Sequence, residues 1–248
     1  MRSRTNRVPA WSAALFLLSG HLLAILGVPG IALAQPAVNL AWDDCYAGGG
    51  VADKFDACDT NLLPPHRLLV TINPNGTIAG VSGATGSIIV TVDPAISDYW
   101  QLYPGGHRQN AFAEDPLVGI SNPPFSCTPI WSDPVSAIVA NAPSPANRMR
   151  MQWNVLSQPG VTTTLDSSVS TEYYVLAVLI SRAGTTTSTQ CPDPGLLSVE
   201  DVVLLRPAGH PDGDVAVTAT DVSTVVSWQG APTPARYDTW GSIKSLYR

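Results

Sequence analysis

The sequence predicts an all-β fold: an antiparallel β-sandwich, jelly-roll or immunoglobulin-like, with long loops and a short C-terminal helix. Apolar and polar residues alternate along several segments, turn residues separate these segments, and helical periodicity is found only at the end of the chain. The chain has 248 residues with 22 prolines and 20 glycines, and 13% are charged. A cytosolic enzyme carries roughly twice that charged fraction, so the composition favours an exported protein.

Residues 1–34 have the pattern of a signal peptide. Three arginines within the first seven residues precede an apolar stretch that ends in Ala32-Leu33-Ala34. Positive charge, an apolar region and small residues in this order are typical of a cleaved leader. An uncleaved membrane anchor over 11–34 is the alternative, and after cleavage no membrane span is predicted. The pattern predicts a protein that is secreted, periplasmic or on the cell surface.

Cleavage of this leader makes the chain more acidic. The leader holds three of the 13 basic residues and none of the 19 acidic ones, so 10 basic and 19 acidic residues remain, a net charge of −9. Lys54 and Lys244 are the only lysines. A chain of this charge is repelled by phosphate backbones and anionic lipid surfaces, so no nucleic-acid partner is predicted.

Four cysteines predict two disulfides, because an even number in an exported chain is typical of a disulfide framework. They are Cys45, Cys58, Cys127 and Cys191, and three pairings are possible. Proximity in the sequence favours Cys45 with Cys58 and Cys127 with Cys191. Zinc ligation is the alternative, which no Cys-x-x-Cys pair or nearby histidine supports.

Alternation predicts most of the strands. The clearest lies at 148–155, where Met149, Met151, Trp153 and Val155 alternate with polar residues. The same pattern predicts strands at 68–72, 88–92, 215–219 and 225–228. Segments 173–180 and 199–205 are apolar on both faces, which predicts central strands covered on both sides.

The strands are predicted to form one sandwich domain over residues 35–230. The stretch after Cys191-Pro192-Asp193-Pro194-Gly195, the best internal boundary, is too short to fold alone. Residues 231–248 are predicted as a linker and a short helix over 239–247, which either docks or acts as a recognition or sorting tail. Long loops are predicted at 98–113 and 117–134, and loops of that length often carry function.

Two loops hold candidate site residues. Five aspartates form a candidate calcium site: Asp43, Asp44, Asp53, Asp56 and Asp59. Calcium takes about six to eight such oxygen ligands, but the spacing is not that of an EF-hand, and a solvated acidic loop is the alternative. The second loop is aromatic, and its residues suit stacking on a sugar and bonding its hydroxyls; the alternative is that its rings cap the core. Its candidate residues are Tyr99, Trp100, Tyr103 and Arg108.

No catalytic motif stands out, so the leading hypothesis is a surface, structural or ligand-binding module whose partner is a glycan or another surface protein. Neither a His-Glu-x-x-His motif nor a Gly-x-Ser-x-Gly elbow is present. One alternative is a secreted polysaccharide hydrolase or lyase that uses paired loop carboxylates. The other is a calcium-assisted carbohydrate-binding module.

Segments near both ends of the chain resemble a group of uncharacterised secreted β-rich proteins of environmental bacteria. The likeness rests on VNLAWDDC at 38–45, ACDTN at 57–61, the strand ending in WQG at 228–230, and TWGSIKSLYR at 239–248. The resemblance implies secretion and a shared fold. It transfers no site residues, because the group has no assigned activity.

Overall fold

The computed structural model describes residues 36–116, 125–219 and 222–231. The predicted signal peptide and the predicted C-terminal helix lie outside the described residues. The strands within them are β1 (Ala37–Trp42), β2 (Asp53–Lys54), β3 (His66–Asn73), β4 (Thr77–Val81), β5 (Gly83–Thr91), β6 (Phe112–Asp115), β7 (Thr128–Pro129), β8 (Val135–Ala140), β9 (Arg148–Leu156), β10 (Thr163–Asp166), β11 (Tyr173–Ile180), β12 (Gly195–Leu205), β13 (Val215–Val217) and β14 (Val225–Trp228).

Two main sheets form the fold. The first has the order β1-β3-β11-β6, with β7 also paired to β11. The second has the order β2-β14-β12-β5-β9-β8, with β13 also paired to β12, and β4 with β10 forms a separate pair. All these pairings are antiparallel except β7 with β11 and β2 with β14. The predicted all-β class is confirmed, and no helix among the described residues has the length and apolarity needed to cross a membrane.

The core lies between the two sheets, as in a β-sandwich. Leu68, Val70 and Ile72 of β3 point into it, and strand β9 contributes four residues from the other side. In β9 the predicted alternation is realised: every second side chain from Met149 to Val155 is buried, and those between them are exposed. Burial of one face of each strand is what holds the register of such a sheet.

The two segments that were predicted to be covered on both faces differ from each other. Strand β11 is confirmed, since seven of its eight residues are buried. In β12 buried residues alternate with partly exposed ones, so only one face is covered. Glu200 follows the buried Val199 and therefore lies on the outer face, where it pairs with Arg148 and Arg150 of β9. The register shift between Val199 and Val202 keeps Asp201 exposed as well.

The disulfide pairing predicted from sequence proximity is wrong. The bridges join Cys45 to Cys127 and Cys58 to Cys191, with Cα–Cα distances of 5.9 and 6.0 Å. Between Cys45 and Cys58 the chain crosses from the first sheet to the second, because β2 pairs with β14. This crossing separates the two neighbouring cysteines, and the resulting bridges interleave along the sequence.

Candidate ligand-binding site

The aromatic loop does not present its rings to a ligand, which corrects the prediction of sugar stacking. Tyr99 and Trp100 have no exposed surface. One face of Tyr99 stacks on Trp228 at 4.9 Å, and the Arg108 guanidinium lies 3.9 Å from its ring centroid. Burial raises the pKa of Tyr99 to about 12. These rings cap the core, as the alternative interpretation of the sequence had it. Tyr103 is partly buried against the same core.

Arg108 acts as an internal clamp rather than as a ligand-binding group. It is 3% exposed. Its guanidinium donates to the carbonyl oxygens of Tyr99 at 2.9 Å and Ala183 at 3.0 Å, and also to that of Ser181. A buried guanidinium needs such acceptors, since its donors have lost water. Arg108 therefore ties the aromatic loop to the end of β11.

The five predicted calcium ligands are dispersed by the fold. Asp43 pairs with the Lys54 ammonium at 2.5 Å, and Asp44 accepts from the Cys45 amide at 2.7 Å. Asp53 accepts from the Ser227 hydroxyl, while Asp59 is exposed. Within the described part of the chain, no three His, Cys, Asp or Glu side chains come together in a way that could hold a metal ion. The predicted calcium set is therefore not assembled, because most of its carboxylates have separate protein partners.

Asp56, the remaining aspartate, belongs to a buried polar cluster with His66 and Arg182. Its Oδ2 lies 2.8 Å from His66 Nε2, and its Oδ1 lies 2.7 Å from an Arg182 guanidinium nitrogen. The side chains of His66 and Asp56 are 1% and 2% exposed. The His66 ring also meets Trp228 edge-on at 4.9 Å. The cluster joins the loop after β2 to the first residue of β3 and to the end of β11.

The environment sets the charge state of this cluster. Burial lowers the pKa of His66 below its ordinary 6.5, although Asp56 partly offsets this. Burial raises the pKa of Asp56, but the hydrogen bond and charge of His66, the Cys58 amide and Arg182 together hold it below its ordinary 3.8. At neutral pH the histidine is therefore neutral and donates from Nε2 to an ionised aspartate, while Arg182 supplies the positive charge that compensates it.

We expect His66→Gln to remove a pH-dependent part of the stability. Because the folded-state pKa of His66 lies below 6.5, the unfolded chain binds more protons between the two pKa values, so the free energy of unfolding falls as the pH drops below about 6.5. Glutamine keeps an N–H donor toward Asp56 but does not titrate. Thermal melts at about pH 7.5 and about pH 5.5 measure the decline, which should be smaller in the variant. An equal decline in the stability of the wild type and of His66→Gln would contradict this prediction. The control is His107→Gln, at an exposed position, which should decline as the wild type does.

An open pocket of about 280 Å³ lies beside this cluster. Its wall contains Asp43, Lys54, the segment Leu63–Pro65, His66, Arg67 and Arg182. Strand β2 positions the lysine, and the start of β3 positions the histidine and the first arginine. The pocket therefore brings three permanent cations together from three separate parts of the chain.

Toward the described part of the chain, these cations leave several hydrogen-bond donors unused. Arg182 uses two of its five N–H groups, one on Asp56 and one on the Pro64 carbonyl oxygen at 3.2 Å. Lys54 uses one of three, on Asp43. The Arg67 guanidinium makes no hydrogen bond or ion pair with the described residues, and it lies 5.9 Å from the centroid of the Phe125 ring.

No protein-family model matches this chain, and no curated protein is significantly similar to it. The resemblance to secreted β-rich proteins thus stays a prediction.

The three cations were not identified from the sequence. Lys54, Arg67 and Arg182 stand 13 and 115 residues apart in order. The pairing of β3 with β11 brings the two arginines to one end of the first sheet. Asp43 connects Lys54 to them, because its carboxylate pairs with the lysine and its amide donates to the Arg67 carbonyl oxygen. One signal was present, since Lys54 is one of two lysines in an acidic chain. The other described arginines are engaged elsewhere: Arg148 and Arg150 on Glu200, and Arg108 and Arg206 on backbone oxygens.

Proposed function

We propose that this chain is a secreted, disulfide-stabilised binding module whose pocket takes the carboxylate of an acidic sugar. The observation that carries the proposal is the convergence of Lys54, Arg67 and Arg182, with unused donors, on one open pocket of an acidic chain. Disulfides are typical of proteins that fold outside the reducing cytoplasm, which agrees with a role toward extracellular carbohydrate.

The electrostatic balance of the pocket favours an anionic ligand. Three permanent positive charges face two carboxylates, Asp43 and Asp56, and both carboxylates are already ion-paired. The Arg67 guanidinium has no ion-pair partner among the described residues, and its planar fork matches a carboxylate bidentately. An incoming carboxylate would complete the charge balance of the pocket.

The size and walls of the pocket favour a sugar ring attached to that carboxylate. Leu63, Pro64 and Pro65 form an apolar wall next to the charged groups. Small-molecule sites typically combine such apolar walls with a few polar groups that fix orientation. A volume of about 280 Å³ is near the lower end of the usual range of roughly 300–1,000 Å³, which suits a single ring.

The hydrolase alternative has less support from this pocket. Hydrolysis of a glycosidic bond needs a carboxylic acid that is protonated before the reaction. Asp56 is ionised, since His66 and Arg182 hold its pKa below the ordinary value, and its side chain is buried. Binding without cleavage is therefore the proposed activity, and incubation with polygalacturonate should release no new reducing ends.

The test is the binding of galacturonate by calorimetry. We expect Arg67→Gln to weaken binding by about 10- to 100-fold, because a hydrogen bond to a charged group contributes about 1.5–3 kcal/mol. Arg148→Gln is the matched control, since that exposed arginine pairs with Glu200 on the outer face of the second sheet. Raising the salt concentration should weaken binding, because the attraction is ionic.

Two other ligands separate this proposal from general anion binding. Glucose lacks the carboxylate and should bind far more weakly than galacturonate. Inorganic phosphate has the charge without the ring. If phosphate bound as tightly as galacturonate, or if Arg67→Gln bound galacturonate as well as the wild type, the proposal would be wrong.

A further inference from the structure

A second pocket lies directly beside the first and has a different lining. Its volume is about 250 Å³. It shares Leu63, Pro65 and Arg182 with the first pocket. Because these residues line both, the two pockets adjoin each other on the surface.

The strand register connects the floors of the two pockets. Leu179 of β11 lies opposite Arg67 of β3 on one side and opposite Ala113 of β6 on the other. Directly opposite residues of paired strands point to the same face of a sheet. Arg67 lines the first pocket, while Leu179 and Ala113 line the second. One cross-strand row about 10 Å long therefore runs beneath both pockets, since neighbouring strands are about 4.8 Å apart.

The second pocket offers neutral polar groups where the first offers charges. Asn110 lines it, is exposed, and has a side-chain amide without a hydrogen bond to any described residue. Asn61 lines it too, and bonds Thr186 through one amide hydrogen and through its oxygen, which leaves a second hydrogen free. Phe112 also lines it, but its side chain packs against the core. The partly exposed side chain of Leu179 is the apolar surface beside these amides. Amides beside an apolar surface suit a hydroxyl-rich ring.

This lining favours a saccharide over an extended peptide. A peptide that adds to a sheet needs an unpaired strand edge. Beneath the second pocket, β11 is bonded to β3 on one side and to β6 on the other, so its main-chain groups are occupied. Strand β6 ends the sheet but has only four residues, a short edge for an added peptide strand. Recognition there depends on the side-chain amides and on Leu179, which suit the hydroxyl groups and the apolar face of a sugar.

We propose that the two pockets form one groove for an acidic oligosaccharide of at least two units, with a uronate carboxylate on Arg67 and the adjoining ring over Leu179, against Asn110 and Asn61. This inference rests on the proposed function and adds the length and polarity of its ligand. Arg182 lines both pockets and so lies between the two proposed ring positions.

The test compares galacturonic acid with its dimer by calorimetry on the full chain. We expect the dimer to bind about tenfold or more tightly, because the second ring adds contacts without a second loss of translational freedom. Asn110→Gly should weaken dimer binding by about 3- to 10-fold, the usual effect of one hydrogen bond, and leave monomer binding unchanged. Asn110 has a φ of 65°, a conformation that glycine adopts without strain, so the variant should fold.

The matched control is Asn75→Gly, at a residue with φ 49° in the turn between β3 and β4. This turn follows the opposite end of β3 from Arg67, and the control should bind both ligands as the wild type does. Equal affinity for monomer and dimer would overturn the extended groove and leave the proposed function standing. So would a dimer preference that Asn110→Gly does not reduce. Failure of both ligands to bind would overturn the proposed function as well.

Discussion

Replacing Cys58 and Cys191 together by alanine lowers the free energy of unfolding by about 5 kcal/mol, the largest effect that we expect from any change in this chain. The bridge joins residues 133 apart in the sequence. In the loop-entropy account, a cross-link of this span removes about 5 kcal/mol of conformational freedom from the unfolded chain. It ties the loop that carries Asp56 to the segment that enters β12. Urea unfolding followed by circular dichroism measures the loss.

The other bridge, between Cys45 and Cys127, should stay intact in this variant. Titration of free thiols under denaturing conditions checks that, since none should be found. If the free energy of unfolding of the variant fell by less than about 1 kcal/mol, packing alone would hold the Cys58 loop in place. The same variant should also bind galacturonate less well, because Lys54 and Leu63 lie on either side of Cys58 in the sequence and both line the pocket.

Trp228→Ala lowers the free energy of unfolding by about 3–5 kcal/mol, the usual cost of truncating a buried tryptophan. Trp228 has no exposed surface. Its ring stacks on Tyr99 at 4.9 Å and meets Trp42 at 6.0 Å and Trp100 at 5.6 Å. Its Nε1 donates to the Cys191 carbonyl oxygen at 2.9 Å. Alanine leaves a cavity among these rings and removes that donor.

Urea unfolding measures this loss as well, and Phe55→Ala is the control. Phe55 is also aromatic but 67% exposed, so its truncation should change the free energy of unfolding by no more than about 0.5 kcal/mol. Equal losses in both variants would contradict a central role for Trp228. Trp228→Phe should lie between the wild type and the alanine variant, because it keeps most of the stacking on Tyr99.

The fold class was predictable because a strand with one buried face shows alternating apolar and polar residues in the sequence. The alternation from Met149 to Val155 follows from a strand with one face in the core. Strands β1 and β6 were not predicted. In β1, Val38, Leu40 and Trp42 face the core in alternation, but Ala41 between them is apolar and buried too, so the contrast in the sequence is short and weak. Strand β6 has only four residues, at the end of a segment that was predicted to be a loop.

The candidate site was not predictable, because its residues depend on which strands become neighbours. Tyr99 and Arg108 form a loop pattern that suits either a ligand or a core, and only their contacts with Trp228 and with backbone oxygens decide between the two. The prediction of a calcium site failed for a related reason. The aspartates are close in sequence, but the chain crosses from the first sheet to β2 in the second, which gives them different partners.

The interleaved bridges also bear on what a protease can do to this chain. Cys45 is joined to Cys127 and Cys58 to Cys191, so at least one bridge spans every peptide bond from 46 to 190. A single cut anywhere in that range leaves two fragments that remain covalently joined around the shared core. Bridges between sequence neighbours would lack this property over 59–126, where one cut would separate the chain into two pieces. The observed connectivity therefore gives a nicked molecule a means of staying whole in a protease-rich environment.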